Sequence, residues 1–400
     1  MKPRIMIYSD CLVFGGSDAV AASILNDEGV RRFADATYCY RDHPRFAEGV
    51  AKRVASEVAR WPVRLPERHD WLSETTPTPM RIVYRLAEYG VFLYDVGRLT
   101  AAFRSIRADL AHINNGGYPG AMGCRAAALA AKLAGMRRVV FVVHNQAIPL
   151  WMPWQLGDWI IDRLVSACVD VFVTATRTSQ DALVRRGFPR SKMRIIQDGV
   201  PAAGPRRPAA EVRAELGLPT SAPVFVMTAF FESRKGHREL VEALARLGPD
   251  APHVLLVGDG PEQERVVRQA RACGLERRVH FAGFRSDYLD LIAACDVLVL
   301  PSLADEDMPL VILDAMALGK PVISSRLAGI PEEVSDGETG ILVEPGDVAG
   351  LSAAVSRMAG DSGLRESFGR AGLRRFRELF EISLLGGRYR DLYKETLSTR

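Results

Sequence analysis

The chain has 400 residues, of which 48% are hydrophobic and 25% are charged, and its formal net charge is +4. These values are typical of a soluble globular protein of two domains and do not indicate nucleic-acid binding, although clustered arginines can bind phosphate or anionic lipid. No apolar run is long enough to span a membrane and the N-terminus leads directly into a strand. We therefore expect a cytoplasmic protein, with at most peripheral contact at the inner face of the membrane. The six cysteines are scattered without a CxxC motif, which predicts free thiols.

The first predicted strand, Arg4–Ser9, is followed by a glycine pair and then by a helix. Gly15 and Gly16 allow the backbone to approach a ligand closely, and Ser17 or Asp18 can cap the helix. A strand, a glycine turn and a helix in this order are typical of the start of a Rossmann-like half. Because there is no complete GxGxxG motif, this pattern alone does not identify a ligand.

The next legible elements are a long helix and two apolar strands. Residues 80–107 show rough helical spacing with several aromatic side chains, which indicates a helix packed on the sheet or a face toward an acceptor or membrane. The strands cover residues 109–115 and 139–146, and His144 lies at the end of the second. Since ligands of parallel sheets bind at the carboxyl ends of strands, His144 is a candidate site residue, with a structural histidine as the alternative.

Three tryptophans follow, at positions 151, 154 and 159, and are predicted to form an acceptor wall, to touch a membrane surface or to pack in the core. A further strand and helix end at Gly187, and another strand covers residues 192–200. The segment 201–210 is the clearest linker, because proline and glycine interrupt regular structure there. We therefore place the first domain over residues 1–203 and the second over 204–374.

The second domain again alternates strands with helices. Lys235 precedes a helix, and Gly258 and Gly260 form the turn of a well-marked strand–helix unit. The apolar strand 279–284 follows and ends in Phe284. Alternation of strands and helices in both halves predicts an α/β protein with two Rossmann-like domains that face a central cleft.

The stretch 301–334 carries the acidic residues around which the predicted site is organised. A short buried helix is expected over residues 310–318, with Pro309 at its first position. The free N–H groups and the dipole at a helix start bind phosphate well. Asp314 lies one turn into this helix, and its two acceptor oxygens suit a ribose diol. Glu306, in the loop before the helix, suits hydroxyl groups on the other side.

This arrangement predicts a nucleotide-sugar site, with the sugar at Glu306, the diphosphate at the helix start and the ribose at Asp314. The alternative is a buried acid that caps local backbone groups.

The same stretch resembles the signature of glycosyltransferase family 4, whose members are retaining enzymes of the GT-B fold. That signature is a glutamate, seven residues and a second glutamate, followed by A-M-A-x-G-x-P-V. Here AMALGKPV spans residues 315–322, but Asp314 replaces the second glutamate with a side chain one methylene shorter.

The resemblance covers nearly the whole chain and is strongest over residues 225–350. It implies that the glycine pair after the first strand faces the donor phosphate and the acceptor, and that His144 lies near the transferred sugar. Lys235 matches the lysine of the family's R-x4-K-G element, whose two cations clamp the diphosphate. Phe230 stands at the arginine position, and Arg234 is the candidate replacement. The implied donor-binding residues are Gly15, Gly16, Arg234, Gly258, Gly260, Phe284, Met308, Pro309, Leu310, Val311 and Asp314. The last helix, over residues 373–397, resembles the tail that crosses back onto the first domain.

These features indicate a retaining glycosyltransferase of the hexosyltransferase type (EC 2.4). It would move a sugar from a UDP- or GDP-sugar to a glycan, a lipid-linked or a small-molecule acceptor, as in polysaccharide biosynthesis. The helix start and Lys235 would stabilise the leaving phosphate, so no metal or other cofactor is expected, although residues 305–307 superficially resemble a metal-binding DxD motif. The resemblance implies front-face attack with the leaving phosphate as base. Two alternatives stay open: a nucleotide-sugar epimerase of the same architecture, and a nucleotide-sugar-binding protein without turnover, for which Phe230 and Asp314 argue.

Overall fold

The computed structural model describes residues 2–66, 78–150, 156–202 and 204–399. The chain forms two compact units, one comprising Met1–Gln197 with Ser383–Arg400 and the other Asp198–Ile382. The chain therefore passes between the units at residues 197–198 and 382–383, whereas the sequence places these boundaries at 203 and about 375. The predicted α/β class with two Rossmann-like sheets is confirmed.

The first unit is built on a parallel sheet of seven strands within the described residues. The strands are β1 (Arg4–Ser9), β2 (Asp35–Arg41), β3 (Ala59–Val63), β4 (Leu110–Asn115), β5 (Arg138–Val143), β6 (Val171–Thr174) and β7 (Met193–Ile195). Their order across the sheet is β3-β2-β1-β4-β5-β6-β7. β4 and β5 are buried along nearly their whole length, which agrees with their near-continuous apolar sequence.

Helices join the strands of this sheet. They are α1 (Gly16–Asn26), α2 (Glu28–Phe33), α3 (Pro44–Arg53), α4 (Thr78–Ile106), α5 (Met122–Leu133), α6 (Leu156–Cys168) and α7 (Arg177–Arg185). The helix expected over residues 80–107 is confirmed as α4. Phe92 and Phe103 of this helix are buried in the core, while Tyr94 is 54% exposed. α4 therefore packs on the unit with one aromatic face and leaves another aromatic residue on the surface.

The second unit has a parallel sheet of six strands in the part of the chain that the structure describes. They are β8 (Val224–Thr228), β9 (His253–Val257), β10 (Val279–Gly283), β11 (Val297–Leu300), β12 (Val322–Ser325) and β13 (Gly340–Val343), in the order β10-β9-β8-β11-β12-β13. The helices are α8 (Ala209–Glu215), α9 (His237–Leu247), α10 (Gln263–Ala272), α11 (Tyr288–Ala294), α12 (Leu310–Ala317), α13 (Ile330–Glu333), α14 (Val348–Gly360) and α15 (Ser362–Leu379).

Both sheets reverse the direction of their strand order once, between β1 and β4 in the first unit and between β8 and β11 in the second. In open α/β sheets, ligands bind outside the carboxyl ends of the strands at such a reversal. The loops that follow these four strands are therefore where each unit is expected to hold a ligand.

The prediction of one continuous helix at the end of the chain is wrong. Residues 373–397 belong to two helices, α15 and α16 (Ile382–Ser398), with Phe380 and Glu381 between them. Phe380 is buried, its carbonyl accepts a hydrogen bond from the Val200 N–H at 3.1 Å, and the Ile382 N–H donates to the Val200 carbonyl at 3.0 Å. The break is caused by this pairing with a distant segment, so the local sequence carries no glycine or proline to signal it.

All six cysteines are free thiols, as predicted. Of the three tryptophans, Trp151 and Trp154 lie outside the described residues, and Trp159 on α6 is 45% exposed. Among the described helices, none combines the length and the apolar character that a membrane crossing needs.

Candidate active site

Two loops of the second unit meet at the carboxyl edge of its sheet, one after β8 and one after β11. The first loop ends in a short 3-10 turn, Ser233–Lys235, and Gly236 follows with a positive φ of 80°. A Cβ atom at Gly236 would lie 2.0 Å from the carbonyl oxygen of Pro301, which begins the second loop. The Leu303 N–H also donates to the Arg234 carbonyl at 2.7 Å. Glycine is thus required for the close backbone approach that brings these loops together.

The approach creates an ion pair between two predicted catalytic residues. Lys235 Nζ lies 2.5 Å from Glu306 Oε1, and the side chains are only 14% and 7% exposed. The buried Ser302 hydroxyl donates to the same oxygen at 2.7 Å. The lysine and the serine therefore hold the carboxylate in one orientation at the edge of the sheet.

Arg234, the candidate replacement for the family arginine, is already engaged. Its Nε lies 2.6 Å from Glu232 Oε2, and its Nη1 donates to the Asp305 carbonyl at 3.0 Å.

Asp305 is exposed, whereas Glu306 and Asp307 are buried, so the three consecutive acids do not share one face. Across the described part of the chain, no three His, Cys, Asp or Glu side chains are grouped so as to hold a metal ion.

A further buried acid, Glu333 on α13, lies near Glu306. Complete burial raises the pKa of Glu333 well above its usual range, and the Asp307 and Glu306 carboxylates raise it further. Burial and the neighbouring carboxylates thus both favour the neutral form of Glu333 beside Glu306. The sequence analysis missed it, because the short acidic pair before Val334 has no pattern that distinguishes a buried carboxyl from an exposed one.

The α12 helix starts at Leu310, so the prediction that Pro309 is its first residue is wrong by one position. Pro309 is the N-cap, with φ −69° and ψ 107°, because its backbone is still extended. A proline N-cap supplies no side-chain acceptor for the N–H groups of the first turn. Leu310 and Val311 are half-buried at this start, and Met308, two residues before the helix, is buried.

Asp314 faces a cavity of about 330 Å³ next to this helix start. Phe230 and Phe284 also line it and are 49% and 74% exposed. Asp314 is 7% exposed, and the Tyr288 hydroxyl donates to its Oδ2 at 3.0 Å. Burial raises the pKa of Asp314 to about 6, and the hydrogen bond from Tyr288 partly opposes this shift. The cavity thus combines an apolar wall with a buried acid whose pKa is raised.

The two glycines after β9 serve the packing of a neighbouring loop. Gly258 and Gly260 have φ values of 139° and 147°, and added Cβ atoms would lie 2.1 Å from the Ala229 carbonyl oxygen and 2.6 Å from the Phe231 carbonyl oxygen. Gly258 lines the cavity, whereas Gly260 is not among its lining residues. A direct donor contact of Gly260 therefore stays a prediction, and its packing role is established.

In the first unit, buried Asp18 organises the glycine loop after β1. Its Oδ1 accepts a hydrogen bond from the Ser9 hydroxyl at 2.5 Å, and its Oδ2 accepts one from the Gly15 N–H at 3.1 Å. Gly15 is the N-cap of α1 and Gly16 is its first residue, so neither Ser17 nor Asp18 occupies the cap position. Asp18 instead bonds back to the cap from the third helical position.

His144 follows β5 and is bound to the same polar group. Its Nε2 lies 2.8 Å from Asn114 Oδ1 at the end of β4. The Asn114 amide nitrogen donates to the Ser17 carbonyl at 3.3 Å and to Asp18 Oδ1 at 3.4 Å. Because these partners accept only, the amide oxygen must face His144, and the proton of the imidazole lies on Nε2. Asn114 was missed from the sequence, although a polar pair at the end of an apolar strand is a usable signal.

The site residues thus fall into two groups, one in each unit. The structure brings Lys235, Arg234 and Glu306 together, and it places Asp314, Phe284, Leu310 and Val311 around one cavity. Gly15, Gly16 and His144 belong to the polar group of the first unit.

Family models of glycosyltransferases match both halves of the chain. A family model described as Glycosyltransferase Family 4 matches residues 46–203, and one described as Glycosyl transferases group 1 matches residues 209–375. A lipopolysaccharide core biosynthesis glycosyltransferase, LpsE of Rhizobium meliloti (strain 1021), is 37% identical over 53% of this chain and 60% of its own length. An alpha-maltose-1-phosphate synthase of Mycobacterium tuberculosis is 29% identical over 76% of this chain and 88% of its own.

The fold is also found among solved structures. The crystal structure of Anabaena Alr3699/HepE in complex with UDP and glucose has a TM-score of 0.77 and 21% identity, and the match covers 98% of this chain and 99% of that one. This likeness concerns the fold. In sequence, the chain spans 50–60% of the length of three of the curated relatives that it matches.

Proposed function

Because this chain belongs to the family 4 glycosyltransferases, we propose that it transfers a sugar from a nucleotide-diphosphate sugar to an acceptor (EC 2.4). The observation that carries the proposal is the pairing of Lys235 with Glu306 beside the start of α12, at the reversal of strand order in the second unit. A buried carboxylate held by a cation, next to the N–H groups of a helix start, matches a sugar bonded to a diphosphate.

The leaving group of this reaction gains negative charge on its phosphate oxygens as the glycosidic bond breaks. The N–H groups at Leu310 and Val311 and the Lys235 ammonium are preorganised donors for that charge. An ammonium has three N–H donors, so Lys235 can keep its bond to Glu306 and also bind phosphate. Glu306 would accept hydroxyl groups of the sugar, and transfer would proceed with retention by front-face attack.

His144 is assigned to the acceptor side of the reaction. Its Nε2 proton is directed to Asn114, and the Asp18 group fixes that orientation. The ring is therefore held in one tautomer at the carboxyl edge of the first sheet, where a ligand is expected. The proposed contact with the transferred sugar follows from the resemblance to the family.

The donor is proposed to be a UDP- or GDP-sugar. Anabaena HepE, whose fold is similar, is described with UDP and glucose bound, which supports UDP as the first nucleotide to test. LpsE of Rhizobium meliloti acts in lipopolysaccharide core biosynthesis, which supports a glycan or lipid-linked acceptor in polysaccharide biosynthesis.

A donor panel measured by thermal shift tests this proposal. A sugar nucleotide present at 100 times its Kd stabilises the folded protein by about 2.7 kcal/mol, which raises the melting temperature. We expect at least one UDP- or GDP-sugar to do so, and we expect its sugar to be transferred to a glycan acceptor in a second assay. If the whole panel leaves the melting temperature unchanged, the proposed donor class is wrong.

We also propose that transfer needs no metal ion, because the helix start and Lys235 supply the positive potential at the phosphate. Transfer should then continue at its normal rate after dialysis against EDTA. A loss of transfer that Mg²⁺ or Mn²⁺ restores would show that a metal ion is required.

A binding protein without turnover is the second candidate, and Phe230 favours it. Phe230 stands where the family has a phosphate-binding arginine, its ring is 49% exposed, and Arg234 beside it is bound to Glu232. One cation of the diphosphate clamp is therefore replaced by an apolar side chain. A donor that stabilises the protein but is transferred to no acceptor, and is not interconverted when incubated alone, would establish this alternative.

A further inference from the structure

Tyr288, which the sequence analysis did not single out, lies in the cavity that contains Asp314. It is the first residue of α11 and is half-buried, and its hydroxyl lies 3.0 Å from Asp314 Oδ2. Tyr288, Asp314 and Phe284 all line the cavity of about 330 Å³. The hydroxyl and the carboxylate thus present neighbouring oxygens to the same space.

A shorter acid needs this second oxygen. Asp314 stands where the family signature has glutamate, so its carboxylate stops about 1.5 Å nearer to the backbone of α12. A single glutamate would offer two acceptor oxygens to a pair of hydroxyl groups. Here one carboxylate oxygen accepts from Tyr288, and the phenol oxygen, which keeps lone pairs, becomes an acceptor in its place. The two side chains therefore both offer acceptor oxygens to the cavity that they line.

The tyrosine also supports the charged form of the acid. Burial disfavours an ionised Asp314, whereas a hydrogen bond donated by Tyr288 favours it. The other charged or titratable side chains that line the cavity are Asp259 and Arg285. Arg285 is paired with Asp287 and Glu215 at 2.7 and 2.8 Å, so its charge is directed to those acids. Tyr288 is therefore the group that acts on Asp314 directly.

We propose that Tyr288 and Asp314 together bind the two ribose hydroxyls of the donor, with the tyrosine hydroxyl replacing the reach that the shorter acid lacks. The inference rests on the proposed nucleotide-sugar function and adds Tyr288 to it as a binding and specificity residue. Its consequence is selection for ribonucleotides. A site built to bond a hydroxyl group discriminates against the analogue without it, because the site's polar atoms are left unpaired.

Calorimetric titration with UDP, GDP and ADP, without any sugar or acceptor, provides the test. The nucleotide that binds the unmodified protein most tightly is then titrated into Tyr288→Phe, Asp314→Glu and the double variant. Tyr288→Phe should weaken binding about fivefold, since one hydroxyl contact is lost and Asp314 loses a donor. In the Asp314→Glu background the same change should cost less than about twofold, because the longer acid reaches both hydroxyls itself.

The 2′-deoxy form of the same nucleotide and a pH series separate this role from a structural one. Removing the ligand hydroxyl should weaken binding to the unmodified protein about fivefold or more and should weaken binding to Tyr288→Phe much less. Nucleotide affinity should also fall as the pH drops through about 6, and Tyr288→Phe should move that fall to higher pH. Tyr94→Phe, at an exposed position of α4, is the matched control and should leave every value unchanged.

Two results would overturn the inference, and they differ from each other. Tyr288 has no role at the ribose if the unmodified protein binds a nucleotide and Tyr288→Phe binds it equally well at every pH. The same conclusion follows if Tyr288→Phe weakens nucleotide binding by the same factor in the unmodified and the Asp314→Glu backgrounds. If the unmodified protein binds none of the three nucleotides, the donor class fails and the role of Tyr288 fails with it. Melting temperatures without nucleotide identify any variant whose fold is damaged.

Discussion

At the residue scale, the ion pair between Lys235 and Glu306 is the strongest test of the proposed chemistry. We expect Lys235→Met and Glu306→Gln each to lower kcat by about 100-fold, because losing one preorganised charge contact costs about 3 kcal/mol. The double variant should lose less than the product of the two effects, since the side chains are in contact at 2.5 Å. Steady-state rates with the donor found by the panel provide the measurement.

The control for this pair is Glu242→Gln, which breaks an exposed ion pair with Arg246 on α9. It should leave kcat unchanged, because exposed pairs contribute about 0–1 kcal/mol and this one lies outside the site. Near-normal turnover in both Lys235→Met and Glu306→Gln would remove these residues from the catalytic group.

A second prediction at the residue scale concerns Asp314 and the stability of the protein without ligand. Its folded pKa of about 6 lies above its usual value of 3.8, so the folded state holds a proton that the unfolded state has lost between these pH values. The free energy of unfolding should therefore fall as the pH rises through this range, by about 3 kcal/mol at pH 8. Asp314→Asn, which cannot ionise, should be more stable than the unmodified protein at pH 8 and closer to it at pH 5.

Thermal melts of both proteins at the two pH values measure this difference. A purely structural carboxylate would give the opposite result, with Asp314→Asn less stable at pH 8. Nucleotide affinity should fall about tenfold in the same variant, because the amide offers one acceptor oxygen and no charge. Loss of affinity together with gain of stability is the combination that a binding residue produces.

At the element scale, the position of α12 depends on contact with α15. Gly319, which ends α12 with a φ of 66°, approaches Gly369 of α15 so closely that a Cβ atom at Gly369 would lie 2.1 Å from the Gly319 carbonyl oxygen. Gly369→Ala should therefore lower the free energy of unfolding by about 1–3 kcal/mol, because backbone must move to make room. Urea denaturation of the purified variant measures the loss.

Gly360→Ala is the matched change, since Gly360 ends α14 and has no neighbouring atom within 4 Å of an added Cβ. It should be neutral or stabilising by up to about 1 kcal/mol, because alanine loses less backbone entropy on folding. Equal effects of the two substitutions would show that α15 does not determine where α12 lies.

At the scale of the whole molecule, the C-terminal helix α16 belongs to the unit formed by the first half of the chain. Tyr393 is fully buried there, and its hydroxyl lies 2.6 Å from His112 Nδ1 on β4. Burial lowers the pKa of His112 to about 3, so the contact joins two neutral side chains. Tyr393→Ala should destabilise the first unit by about 3–5 kcal/mol, the cost of removing a large buried ring.

Hydrogen exchange locates this effect. Amide exchange should accelerate in β1 and β4 and stay unchanged in β8 to β13, because those strands lie in the other unit. Glu395→Ala, which removes one partner of an exposed ion pair with Arg194, is the control on the same helix. Faster exchange throughout the chain after Tyr393→Ala would contradict the division into two units.

The sequence by itself determined the features that depend on neighbouring residues. Apolar runs such as β5 and β9 predicted buried strands, Gly187 predicted a helix end, and the alternation of elements predicted two Rossmann-like domains. The spacing of Glu306 and Asp314 around a helix start predicted a nucleotide-sugar site, which stays a prediction, and a glycosyltransferase family model matches the half of the chain that contains it. Local backbone geometry and hydrophobic periodicity are set within a few residues, so they can be interpreted without the fold.

Only the tertiary structure decided the contacts between residues that are distant in the chain. Lys235 meets Glu306 across 71 positions, His144 meets Asn114 across 30, and Tyr288 meets Asp314 across 26. The break between α15 and α16 likewise depends on pairing with Val200. Such contacts arise because parallel strands bring the loops at their carboxyl ends to one edge of the sheet. Which side chains touch there depends on strand order and register, and burial then sets their charge.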